Sequence, residues 1–120
     1  MSSEVSGVIE RFYEAFSSKD FEEMARCYHP KATFKDEVFS IDAKQIPAMW
    51  HMLCIKGKDL IIHYSDVEYS ANTASANWVA HYTFKATGKK VTNEIAASFI
   101  LEDGLIKTHT DDFDFHKWAV

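Results

Sequence analysis

The residues with the most chemical potential stand near the end of the chain: His109 and Asp111, separated by one residue within Leu105 to Phe115. That stretch reads as a strand, in which successive side chains point to opposite faces. Leu105, Lys107, His109, Asp111, Phe113 and Phe115 then share one face, and Ile106, Thr108, Thr110, Asp112 and Asp114 take the other. Apolar residues at both ends of the first set turn it inward, so an imidazole and a carboxylate are expected side by side in an aromatic-lined interior. Burying ionisable groups is costly without a partner or a purpose. Three readings follow. The two can satisfy each other as a polar pair. They can form an acid–base pair, because apolar surroundings raise a carboxyl pKa from about 3.9 toward neutrality, where proton exchange at pH 7 is effective. They can also ligate a metal, but His-x-Asp supplies only two ligands and lacks the helical spacing of a motif such as H-E-x-x-H, so no metal is expected. His29, His51, His63 and His81 have no motif around them. Asp111, Asp112 and Asp114 lack the spacing of a calcium loop, and alternation separates the first from the other two. Cys27 and Cys54 lie in helix-patterned stretches without C-x-x-C spacing and read as reduced core thiols.

Positioning such a pair requires a scaffold, and the sequence outlines one. Val5, Val8, Ile9, Phe12, Tyr13 and Phe16 follow the i, i+3, i+4, i+7 stripe of an amphipathic helix. Asp20 and Glu23 open a second helix as a capping-box pair, with Phe21, Met24, Ala25 and Tyr28 as its stripe and Pro30 as its stop. A short strand is expected over Ala32 to Phe39. Ile46, Met49, Trp50, Leu53 and Cys54 mark a third helix, with Pro47 in its first turn and Gly57 after its end. Four β-patterned runs follow, Leu60 to Tyr69, Ala74 to Ala86, Val91 to Glu102 and Leu105 to Phe115. Asn72-Thr73, Thr87-Gly88 and Asp103-Gly104 separate them with hairpin turn chemistry.

The order helix, helix, strand, helix and four strands excludes a parallel doubly wound sheet. The expected class is α+β: a curved antiparallel sheet (α-α-β-α-β-β-β-β) wrapped on three helices, cone-shaped with an internal pocket. Within the strands, Trp78, Ala80, Tyr82 and Phe84 form one inward set, and Asn93, Ile95, Ala97, Phe99 and Leu101 another. Trp50, Trp78, Tyr82, Phe99 and Phe113 are the expected pocket walls, with Tyr13 and Asn93 as further ligand contacts.

Composition narrows the function classes. The chain has 120 residues, enough for one domain spanning 1–120, and 17 aromatics, from Phe 9, Tyr 5 and Trp 3, to build a core. Thirteen basic against eighteen acidic residues give a net charge of −5 with the basic residues scattered, which argues against nucleic acid as a partner. No apolar run is long enough to cross a membrane, and Met1-Ser2-Ser3-Glu4 lacks the character of a signal peptide, so a cytoplasmic protein without membrane partners is expected.

The element order and several strings resemble the nuclear transport factor 2-like superfamily, and within it SnoaL-like and ketosteroid isomerase-like proteins. The resemblance is carried by Val8 to Phe16, Asp20 to Tyr28, His29 to Asp36, Thr87 to Asn93 and Gly104 to Trp118, nearly the whole chain. It implies several things. Asp36 matches the carboxylate that moves the proton in the isomerases. The isomerases' two oxyanion donors fall at Phe12 and Ala97, so standard steroid isomerisation is not expected, although Tyr13 stands beside the first. Asp111 is similar in position to the acid–base aspartate of SnoaL-like cyclases, with His109 as its imidazole partner and Tyr82, Asn93 or His109 as donors to a developing oxyanion. The Asp, Arg, Asp arrangement of the scaffold's epoxide hydrolases is not matched, since the only arginines are Arg11 and Arg26.

Two functions are therefore expected to compete. One is cofactor-free acid–base chemistry of the isomerase or cyclase type on a hydrophobic cyclic ketone. The other is binding or carriage of an apolar small molecule without chemistry. The resemblance also implies a homodimer formed through the outer sheet face, where Val79, His81, Thr83, Ala96, Ser98, Ile100 and Thr108 make a surface drier than solvent alone requires.

Overall fold

The computed structural model describes residues 7–57, 59–84 and 86–113. In chain order these form α1 (Val8–Ser17), α2 (Phe21–Arg26), β1 (Tyr28–Lys35), β2 (Ser40–Asp42), α3 (Ile46–Lys56), β3 (Ile61–Ser70), β4 (Thr73–Phe84), β5 (Lys89–Glu102) and β6 (Leu105–Phe113). The expectations resting on Val5, Asp114 and Phe115 lie outside the described residues. The six strands form one curved, unclosed sheet in the order β2-β1-β6-β5-β4-β3. Strands β3 to β6 are an antiparallel meander, as the turn chemistry implied. The Asp103-Gly104 turn has both residues at positive φ, 55° and 73°, the type I′ geometry that matches strand twist.

Two features of the sheet were not expected. The short strand β2 pairs antiparallel with β1. Strand β1 pairs in parallel with β6, so the sheet is not wholly antiparallel. This parallel pairing places Phe34 against His109 and Lys35 against Thr110.

Helix α1 buries Ile9, Phe12, Tyr13, Ala15 and Phe16, the stripe that its spacing sets out. The Asp20 carboxylate accepts the Glu23 N–H and caps α2. Pro47 occupies the first turn of α3, and Gly57 caps its end.

Three local expectations are corrected. Helix α2 stops at Arg26, not at Pro30, and Tyr28 already belongs to β1. Tyr28 is buried either way, which is why a helical stripe could claim it. Pro30 sits where the β1–β6 register jumps between Tyr28 and Thr33, a stretch that needs no ladder donor. In β6, Ile106 was expected to face outward but is fully buried. Ile100 pairs with Thr108 while Leu101 pairs with Ile106, so Lys107 is an extra residue that flips the alternation on its N-terminal side. Beyond that bulge the expected parity holds: His109 and Asp111 are buried, and Thr110 and Asp112 are exposed.

Candidate functional site

A cavity of about 490 Å³ opens between the concave sheet face, α3 and the β1–β2 turn. Its walls are mainly apolar and aromatic, with Phe16, Phe34, Trp50, Trp78, Ile95 and Phe113 among them. The mouth is marked by Val38, Phe39, Met52 and Leu53, which line the cavity and are also solvent-exposed, Phe39 at 46%. Helix α3 is apolar even on its outward side here, an unusual pattern for a helix covering a sheet.

Asp111 is the one carboxylate on this wall that is fully buried, at 4% exposure. It stands opposite Ala97 on β5, whose methyl leaves room above it. Behind it lies a chain of buried hydrogen bonds. Asp111 Oδ1 is 2.8 Å from His109 Nε2, His109 Nδ1 is 2.7 Å from Tyr28 Oη, and Trp50 Nε1 donates to Tyr28 Oη over 3.1 Å. An indole N–H only donates, so Tyr28 Oη accepts from Trp50. The role of His109 Nδ1 toward Tyr28 Oη, and of Nε2 toward Asp111 Oδ1, depends on which ring nitrogen carries the proton. Burial pushes the Tyr28 hydroxyl well above its ordinary pKa of 10, with the Trp50 hydrogen bond opposing and the charge of Asp111 adding, so it remains neutral. Asp111 Oδ2 has no protein partner among the described residues.

His109 is held by rings as well as by hydrogen bonds. Phe99, Phe34 and Phe12 approach it with centroids at 4.5, 4.9 and 5.7 Å, and Tyr28 and Trp50 stack at 6.0 and 6.3 Å. Its own exposure is 1%, and it does not line the cavity.

Of the other residues singled out in the sequence, Asp36, Trp50, Trp78, Tyr82, Asn93 and Phe113 line the cavity with Asp111. Phe99 and Tyr13 are buried behind its wall. The parallel β1–β6 pairing brings Asp36 and Asp111 to the same end of neighbouring strands, just beyond the Lys35–Thr110 pair. Asp36 Oδ1 accepts the Val38 and Phe39 N–H groups, so this carboxylate shapes the turn at the mouth. Asn93 donates to Tyr82 Oη over 3.2 Å. Because Ala97 opposes Asp111, Asn93 lies four residues before that point on β5, roughly 13 Å away along the strand. The cavity therefore has two polar stations with an apolar stretch between them. Two further donors are buried without a partner among the described residues, Tyr13 Oη and Trp78 Nε1.

Tyr28 is the site residue that sequence reasoning missed. Its position before His29-Pro30 suited the stripe of α2, and no local signal ties it to a residue 81 positions later.

The described residues that could hold a metal ion are His29, Glu102 and Asp103, away from the cavity. His29 Nε2 lies 3.2 Å from Glu102 and 3.8 Å from Asp103. Its Nδ1, however, accepts the Lys31 N–H at 3.0 Å, which puts the ring proton on Nε2. A metal on Nε2 would force an Nδ1–H against that N–H, where metal-bound histidines have an acceptor. Lys107 also holds Glu102. The arrangement fits an imidazole N–H bonded to carboxylates better than a ligand set.

Residues 9–109 match the SnoaL-like domain. No curated protein matches the chain. Among solved structures, AclR from Streptomyces galilaeus, a proposed hydroxylase, superposes with a TM-score of 0.78 at 12% identity over 93% of this chain and 79% of its own. A proposed polyketide cyclase from Pseudomonas putida gives 0.77 at 15% identity over 92% of each chain. An NTF2-like protein of unknown function from Burkholderia pseudomallei gives 0.80 at 13% identity over 93% and 92%. At these identities the likeness is one of fold, and function must be argued from the site.

Proposed function

This chain belongs to the SnoaL-like domain family, and from that premise we propose that it is a small-molecule enzyme of the isomerase or cyclase type, moving a proton on a hydrophobic cyclic ketone without a cofactor. One observation carries the reading. A buried carboxylate stands on the wall of an apolar cavity with one oxygen hydrogen-bonded to the His109 imidazole and the other without a partner among the described residues. That is the arrangement of a positioned general base. Asp111 Oδ2 takes a proton from the carbon α to the ketone, and the electron pair moves onto the carbonyl oxygen as an enolate. The same oxygen returns the proton elsewhere on the ligand.

His109 acts through Asp111, because both of its nitrogens are committed within the protein. Trp78 lines the cavity with its ring, while its Nε1 is buried away from the cavity space without a partner among the described residues. Asn93 and Tyr82 hold a second polar group at the far station, which suits an elongated ligand oxygenated at both ends. The volume falls within the roughly 300–1,000 Å³ of ligand pockets.

The outer sheet face supports a second copy of this chain as partner. Ile61 and Ile100 are 57% and 44% exposed on it, beside Val79, Ala96 and Thr108.

The test separates chemistry from binding. With polycyclic ketones as probes, Asp111→Asn should lower turnover by about 10²- to 10⁴-fold, while Trp fluorescence still reports binding of the same probe within about threefold. Trp78→Ala should weaken binding instead. Turnover that survives in Asp111→Asn overturns the reading, and a probe that binds without ever turning over favours a carrier of apolar molecules.

A further inference from the structure

We infer that Tyr28, oriented by Trp50, is a positioning residue that fixes the proton of His109 on Nε2 and thereby makes Oδ2 of Asp111 the oxygen that carries the transferred proton. The inference rests on the reading of Asp111 as the base and adds to it a residue outside the cavity lining. A neutral imidazole has two tautomers, and only one of them donates to Asp111. With the proton on Nδ1, Nε2 becomes an acceptor and draws a proton onto Asp111 Oδ1, which ties up the carboxyl as an internal donor. The Tyr28 hydroxyl, 2.7 Å from Nδ1, selects against this form. The Trp50 indole N–H at 3.1 Å donates to the same phenol oxygen, and His109 Nδ1 is the other hydrogen-bond partner of that hydroxyl among the described residues.

The three residues come from different elements, Trp50 from α3, Tyr28 from the start of β1 and His109 from β6. Phe12, Phe34 and Phe99 close around the imidazole and hold its plane. The chain of donors is thus built into the packing between α3 and the sheet. It has the logic of a hydrogen-bonded partner that fixes a histidine tautomer at a reacting centre, with the carboxylate as the reacting group.

The test is ¹⁵N NMR of histidine-labelled protein without any ligand, combined with kinetics. In the wild type, the His109 Nε2 signal is expected at the protonated position with coupling to one hydrogen, and Nδ1 at the unprotonated position. In Tyr28→Phe the two forms should mix or reverse. In that variant kcat for ketone proton exchange should fall about tenfold or more, with KM changed less than about twofold. A wild-type spectrum with the proton on Nδ1 overturns the inference, and so does a Tyr28→Phe spectrum identical to wild type. The wild-type measurement stands even where the variant fails to fold. Because the spectrum needs no substrate, an inert Asp111 would overturn the proposed chemistry and leave the tautomer assignment in place.

Discussion

Tyr13 and Tyr28 are both buried, yet deleting their hydroxyls should change stability in opposite directions. Tyr28 Oη bonds Trp50 and His109, so Tyr28→Phe strands an N–H and a ring nitrogen in the core and should cost about 2–4 kcal/mol. Tyr13 Oη has no partner among the described residues. Folding strips its water and returns nothing, a penalty of about 1–3 kcal/mol that Tyr13→Phe removes. The ring stays, and with it the stacking on Tyr64 at 5.3 Å. Allowing for the small void left behind, Tyr13→Phe should be about 1–2 kcal/mol more stable than wild type. At roughly 2.1 cal/mol/K of unfolding entropy per residue over 120 residues, that raises Tm by about 4–8 °C.

The gain should also grow with pH. Burial, then the charge of Asp111, then Tyr28 raise the folded-state pKa of Tyr13 well above 10. A raised folded-state pKa means that stability is at full strength below the unfolded value of about 10 and is lost as pH rises past it. At pH 11 the unfolded chain gains about 1.4 kcal/mol by ionising this one phenol, a gain that phenylalanine cannot make. Urea denaturation at pH 7.5 and pH 11 checks both statements. A Tyr13→Phe protein less stable than wild type by 1 kcal/mol at pH 7.5 would refute the reasoning, because its hydroxyl must then have a partner.

Asp20→Ala should destabilise by about 1 kcal/mol in chemical denaturation, since its carboxylate caps the six-residue α2 by accepting the Glu23 N–H. Gly104→Ala should cost about 1 kcal/mol in the same assay despite open space around it, because at φ 73° the penalty is in the backbone. Ile61→Lys with Ile100→Lys should convert a dimer to a monomer in light scattering at micromolar concentration without lowering Tm. A wild type that is already monomeric would remove the outer face as a pairing surface.

The parts of this molecule that were legible in the sequence are those with short-range causes. The stripe from Ile9 to Phe16, the Asp20 cap and the Asp103-Gly104 turn depend on neighbours within a few residues, and each stands as expected. The inward placement of His109 and Asp111 followed from alternation alone. It held only because the bulge at Lys107 lies before them, and the same rule misplaced Ile106 on the other side of it. A bulge is a register event between two strands, and neither strand announces it by itself. The parallel β1–β6 pairing and the contact of Tyr28 with His109 are long-range in the same way. No helix among the described residues is long and apolar enough to cross a membrane.

The central claim, that Asp111 moves a proton on a bound ketone, is tested most directly by deuterium wash-in. Cyclic and polycyclic ketones are incubated in D₂O with wild type or Asp111→Asn, and deuterium at the carbon α to the carbonyl is followed by mass spectrometry. The account predicts wash-in with the wild type for at least one ketone that the protein binds, and a rate with Asp111→Asn lowered about 10²-fold or more toward the solvent background. Equal wash-in with the two proteins, or none with a ketone that is firmly bound, would contradict it.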